Sequence, residues 1–359
     1  MKIRSFLSVP VGLAFTAALS SAGSVSFTCD STVASMDGSG VCNYLNSTVA
    51  GIYGNTFTNA SASIYVTTSG TGLGQSYDLR NQVSYSTFYN ALAAESTNAV
   101  AVASLPSTEP AIFSGASVWL TASQIDALGI SVPASYGYDP DLNPCVLGSD
   151  SCYNGVIAIV TPAGLSSESG GTQGLWFRNV DGTAAGSQPA NDIDYFSAVE
   201  HEVDEILGTA SCSSVTAGPT ASYSSGCAGV GPVASAIDLF RYSAPGALVY
   251  NSLTPATQYF SPDGGVTDTA GATYNTSKVG EDFGDFSQAC AFVQDAEGCL
   301  GLSFDITNDF QGGAGPEVAM LNAVGFNLNS TSTATPEPGS VVLLCGSLGV
   351  LALYRRRKA

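Results

Sequence analysis

Positive charge and histidine are what this 359-residue chain has least of. Charged residues of both signs make up 11 %, against roughly 25 % in an ordinary soluble domain. Only ten residues are Lys or Arg, and six of them (Lys2, Arg4, Arg355, Arg356, Arg357 and Lys358) sit at the two extremities. Residues 23–335 therefore hold 28 acidic side chains against four basic ones, Arg80, Arg178, Arg241 and Lys278, a net charge of −24. Such a surface repels phosphate backbones and anionic lipid, which excludes nucleic acid as a partner and favours divalent cations and cationic substrates. Histidine occurs once, at His201. Also missing are a G-x-S-x-G elbow, a Gly-rich phosphate loop behind a strand, zinc-finger cysteine spacing and any internal repeat. With 45 % hydrophobic residues, the chain is too apolar for a disordered acidic tail and long enough for a substantial core.

Both ends carry addresses. Lys2 and Arg4 precede an apolar run over residues 6–19, followed by Ser20-Ser21-Ala22. A basic start, a short apolar middle and small residues before a cleavage point describe a secretory signal peptide, residues 1–22. At the other end Thr335-Pro336-Glu337-Pro338-Gly339 leads into an apolar run and then Arg355-Arg356-Arg357-Lys358. Residues 339–354 would span about 24 Å as a helix, short for an ordinary membrane crossing, with the basic cluster left on the cytoplasmic side. This Pro-Glu-Pro triplet, short span and Arg cluster resemble the PEP-CTERM sorting signal of Gram-negative bacteria. The resemblance implies export, a transient inner-membrane anchor at residues 336–359, handling by the PEP-CTERM sorting machinery, and release to the cell surface or extracellular matrix. A plain stop-transfer anchor would share the orientation and differ in fate.

The cysteines agree with an oxidising destination. Cys345 lies in the apolar tail and is expected free. The other eight fall in close pairs, Cys29/Cys42, Cys145/Cys152, Cys212/Cys227 and Cys290/Cys299, and sequential pairing is the expectation among the many connectivities eight cysteines allow. Strands are predicted at residues 63–67, 117–120, 156–160 and 175–177, and helices at residues 86–95, 121–128, 192–207 and 316–324. The order predicts an α+β fold, with a sheet carrying helices on one side and an irregular disulfide-bonded lobe behind it. The expected division is 23–208 for the first lobe, 209–328 for the second and 329–335 for a linker.

Chemistry concentrates on the helix expected at 192–207. Phe196, Val199, Val203, Ile206 and Leu207 recur at helical spacing as its buried stripe. His201 is followed directly by Glu202, and Glu205 stands one turn on, on the same face. In H-E-x-x-H enzymes two histidines at that spacing hold zinc and the adjacent glutamate activates water. Here Glu205 replaces the second histidine, and a carboxylate is a legitimate zinc ligand. The competing reading is a solvated acidic face, since Asp194, Glu200, Glu202, Asp204 and Glu205 crowd the same stretch.

The segment from His201 to Gly208 resembles the active-site helix of zincin-type metalloproteases. It is most similar to secreted bacterial proteins carrying H-E-[IV]-x-E-[VIL]-[LM]-G, which often end in PEP-CTERM tails. Residues 238–246, 259–265 and 318–326 extend the likeness over most of residues 24–328. The resemblance implies a zincin-like fold and a zinc-dependent endopeptidase, with His201 and Glu205 as ligands, Glu202 as general base and a protein or peptide substrate. The metzincin third ligand would fall on Ser211, which cannot replace it, so a carboxylate must. Asp238, beside Arg241, is the candidate; an ordinary Asp–Arg turn pair is the other reading of it. Tyr242 is read either as an oxyanion donor or as a core tyrosine. Acidic turns at residues 263–265 and 281–285 are possible Ca2+ sites or solvated turns, neither matching the twelve-residue calcium loop. The function expected is a secreted zinc metallopeptidase acting through metal-activated water. The alternative is a catalytically silent zincin scaffold serving as a surface or biofilm-matrix protein.

Overall fold

The computed structural model describes residues 23–110, 117–178, 187–212, 234–249, 257–275, 282–287, 290–309 and 313–329. The signal peptide, the sorting tail, Cys227 and Cys345 fall outside them. The first strand, β1 (Val25–Cys29), leads into short helices α1 (Ser31–Ser35), α2 (Val41–Tyr44) and α3 (Ala50–Thr56), the last two joined by a π-helical turn, Leu45–Val49. Then come β2 (Ala62–Ser69), β3 (Gly74–Asp78) and β4 (Arg80–Ser84), helices α4 (Tyr85–Glu95) and α5 (Ala99–Ser104), β5 (Ser117–Thr121) and α6 (Ala122–Ala127). A small hairpin, β6 (Tyr136–Tyr138) and β7 (Pro144–Val146), precedes β8 (Gly155–Val160), α7 (Pro162–Glu168), β9 (Gly174–Trp176), β10 (Asp192–Asp194) and α8 (Tyr195–Leu207). Behind α8 follow β11 (Ala234–Ser235), β12 (Arg241–Ala244), β13 (Ala247–Leu248), β14 (Tyr259–Phe260) and finally α9 (Pro316–Ala323).

The principal sheet runs β1-β2-β8-β3. β1, β2 and β8 are parallel, and β3 closes one edge antiparallel to β8. All six residues of β8 are buried, the signature of a strand covered on both faces. α8 packs across β8 and β3. The expected α+β layout is present, with several small sheets beside the main one. One hydrophobic cluster runs from Val25 to Phe326, so the segments on either side of residue 208 share a core.

Two expectations about α8 change. Its first residues are not helical: residues 192–194 pair with β9 as a parallel strand, and Asp194 becomes the cap, accepting from Phe196 N at 2.9 Å. The acidic-surface reading of the helix fails as well. Glu200, Glu202, Asp204 and Glu205 are all buried. Arg178 reaches Asp194 Oδ2 at 2.7 Å and Glu200 Oε1 at 3.6 Å, and Tyr53 OH donates to Asp204 Oδ1 at 2.8 Å. Gly208, at φ 133°, ends the helix in a conformation that side-chain-bearing residues rarely adopt.

Cys29–Cys42 and Cys145–Cys152 are disulfides, as expected. Cys212 is disulfide-bonded too. Cys290 and Cys299 depart from the expectation: they stand as thiols. Among the described residues no helix is long and apolar enough to cross a membrane; the short apolar span at 339–354 lies outside them.

Candidate functional site

His201, Glu202 and Glu205 project from α8 into a cavity of about 1020 Å³. Two further walls face them. One is β3, where Gly74, Gln75 and Ser76 line the cavity. A Cβ at Gly74 would stand 2.5 Å from Glu202 Oε1, so only glycine lets the strand approach the carboxylate this closely. The other wall comes from residues 282–285 and 290–300, more than seventy residues further along the chain.

That distant wall supplies Asp285. Its Oδ1 lies 3.5 Å from His201 Nε2, while Glu205 Oε1 lies 3.7 Å from the same nitrogen. Donor atoms of the three residues all fall within 4.8 Å of one another. Three ligands of a tetrahedral zinc at about 2.0–2.2 Å would be roughly 3.3–3.6 Å apart, so the trio is close to the spacing such an ion requires. His201 Nδ1 donates to Val293 O at 2.9 Å, which leaves Nε2 as the coordinating nitrogen of the neutral ring. Ser76 Oγ donates to Glu205 Oε2 at 2.5 Å and Gln294 Nε2 to Asp285 Oδ1 at 2.9 Å. Gln294 is steadied in turn by Thr209 Oγ1, which donates to its Oε1 at 2.9 Å, and by Glu317 Oε1, which accepts from its backbone N–H at 2.7 Å.

Charge in the cavity is organised around the imidazole. Burial by itself depresses the His201 pKa, but Asp285, then Glu205 and Glu202, carry it well above the ordinary histidine value. Burial likewise opposes ionisation of Glu205, yet its bond to His201, the imidazolium charge and the Ser76 hydroxyl hold it below the usual carboxylate value. Glu202, buried and repelled by Glu205 to which it is hydrogen-bonded, is pushed well above it. Asp282 is raised by burial and by Glu205 and Asp285.

Asp238 is not brought to this cluster. Its Oδ1 accepts from Ser211 Oγ at 2.6 Å and its Oδ2 from Ser235 N, Ser235 Oγ and Cys212 N at 2.9, 2.8 and 3.2 Å. Arg241 lies 3.5 Å away, with its guanidinium over the Tyr274 ring at 3.8 Å. Every lone pair of Asp238 is committed to a buried structural knot, and the Asp–Arg pairing is the reading the geometry bears. Ser211, at the position where a histidine would complete a metzincin site, belongs to that knot. Tyr242 is a buried tyrosine of β12 outside the cavity lining. Asp263 spends its carboxylate on Ser261 and Thr267 within its own turn. Asp285, missed as a partner of His201, stands in the acidic run of residues 281–285; that run was the available signal.

The PEP-CTERM protein-sorting motif matches residues 334–358. The chain carries that motif, which marks it for export and membrane-associated sorting in Gram-negative bacteria by a dedicated sorting system. No curated protein matches the chain, and no solved structure matches it.

Proposed function

We propose that this exported chain is a zinc-dependent peptidase of zincin-like design, with His201, Glu205 and Asp285 as its metal-binding residues and Glu202 as its general base. The observation that carries the reading is the convergence of Asp285 on the His201–Glu205 pair. A carboxylate eighty residues distant completes the spacing an ion needs, and Glu202 stays beside the trio without joining it.

His201, Glu205 and Asp285 would hold a divalent cation, which would supply Lewis acidity toward a carbonyl and toward water. His201 offers Nε2 once its extra proton has left, its other nitrogen being fixed on Val293 O. Glu205 and Asp285 contribute two negative charges to balance a dication. Glu202, in its ionised form, takes the proton of the attacking water and hands it to the departing amine. β3 is an edge strand running along the cavity, and an extended peptide can add to it as a further strand. The acidic walls favour basic peptides.

The test is the metal content of the purified protein, measured with cleavage of a peptide library rich in Lys and Arg. Glu202→Gln is expected to keep the metal and lower kcat by about 10²–10⁴. His201→Ala is expected to lose both. Wild-type protein that takes up no zinc at micromolar free metal would hand the chain to the silent-scaffold reading.

A further inference from the structure

The wall that faces His201 is a loop hinged on two cysteines. Cys290 and Cys299 both line the cavity, and their side chains meet across the base of the loop. Between them lie the residues that orient two of the three converging side chains. Val293 O accepts from His201 Nδ1 at 2.9 Å, and Gln294 Nε2 donates to Asp285 Oδ1 at 2.9 Å while standing 3.5 Å from His201 Nε2. Non-covalent contacts hold the loop: Phe286 N donates to Gln294 O at 2.8 Å and Ala296 N to Phe286 O at 3.0 Å, and Thr209 Oγ1 donates to Gln294 Oε1 at 2.9 Å. Asp295 Oδ2 accepts from Ala291 N at 2.6 Å and from Phe292 N at 3.1 Å, and Glu317 Oε1 holds Gln294 N at 2.7 Å. Cys290 sits at φ 68°, a left-handed conformation that costs energy for any residue but glycine. The sorting motif sends the chain out of the cytoplasm, where thiols meet oxidants.

We propose that Cys290 and Cys299 form a redox lock on the site: as a disulfide they fix the loop that orients His201 and Asp285, and as a dithiol they leave it to its non-covalent contacts alone. The consequence for metal rests on the function proposed above; the lock on the loop does not. The oxidant is a disulfide, either a low-molecular-weight one or that of an oxidised thiol carrier. Cys290, the more exposed of the two, attacks one donor sulfur as thiolate and expels the first donor thiol. Cys299 then attacks Cys290 Sγ and expels the second. One S–S bond forms in the protein and one is lost in the donor. Two electrons and two protons pass to the two donor thiols. Closing so short a loop removes open conformations, and partners that orient a ligand are worth about 10–100-fold in metal affinity.

The experiment compares wild-type protein oxidised with glutathione disulfide with the Cys290→Ser/Cys299→Ser variant, and uses Cys145→Ser/Cys152→Ser as the control for losing a remote disulfide. Cys290→Ser alone, which leaves the buried Cys299 in place, serves where the double variant does not fold. Peptide mapping is expected to find Cys290 bonded to Cys299. Amide hydrogen exchange over residues 291–298 is expected to be at least about tenfold slower in the oxidised protein, and its zinc Kd about 10–100-fold lower, with the control behaving as wild type. Should neither form bind zinc while exchange still differs, the lock stands and the metal reading falls. Equal exchange in the two forms, equal zinc affinity in proteins that do bind it, or no Cys290–Cys299 bond on mapping overturns the lock.

Discussion

Asp238 and Asp285 are both buried aspartates of the second half of the chain, and they have opposite jobs. Asp238 is saturated by two serine hydroxyls, two backbone N–H groups and Arg241, so removing its charge leaves the buried Arg241 guanidinium without its carboxylate. Asp238→Asn is expected to leave zinc affinity within a few-fold of wild type and to cost about 3–5 kcal/mol in a denaturant titration. Asp285→Asn should do the reverse, lowering zinc affinity at least about tenfold with little loss of stability. His201 adds a proton-linked term. Its pKa is raised by Asp285 and Glu205 against the opposing effect of burial, and the proton must leave before Nε2 can bind a metal. Zinc affinity should therefore climb about tenfold per pH unit below the His201 midpoint and level off above it, which a chelator competition series across pH would read directly. His201, Glu202 and Glu205 were legible in the sequence because one helix turn fixes their relation. Asp285 was not, because its relation to them is made by tertiary packing.

At the scale of elements, the closest fit is between α8 and β3. The missing side chain at Gly74 is what lets Glu202 lie against the strand. Gly74→Ala should displace that carboxylate while keeping the metal trio, lowering kcat by about 10²-fold with metal content unchanged, as steady-state kinetics beside metal analysis would report. Most elements of the apolar interior were legible: β2, β5, β8, α4 and α9 all stand within a few residues of their predicted places. β3 was invisible because Gly74–Asp78 buries only its last residue; an edge strand beside a cavity has no apolar alternation to display. The start of α8 was misplaced because Asp192 and Asp194 are good capping residues anywhere near a helix start. Pairing with β9 selected Asp194 as the cap.

The whole molecule buries acid groups that ordinary proteins leave in water. Burial raises Asp295 to about 6, Glu317 to about 7 and Glu200 to about 8, the last even though Arg178 opposes the rise. The ordinary values of these groups are 3.8 for the aspartate and 4.5 for the glutamates. A raised native pKa means the folded chain holds protons that the unfolded chain has released. The stability these groups contribute is complete below their ordinary values and is lost as pH rises through the native ones. Metal-free protein should thus melt at least about 5 °C lower at pH 8 than at pH 5, measured by calorimetry in the presence of chelator. None of this was visible in a count of acids, which reports charge but not burial.

The order of residues along the chain gives the site a schedule. Asp285 and the loop that orients His201 lie 80 or more residues beyond Glu205. A polypeptide exported from its N-terminus delivers α8 to the far side of the membrane well before it delivers them. Throughout that interval the helix can present only two of the three converging side chains, with the imidazole unbraced. Under the proposed function this order keeps the site silent during translocation, and cutting can begin only once Asp285 and the loop behind it have crossed and folded against α8.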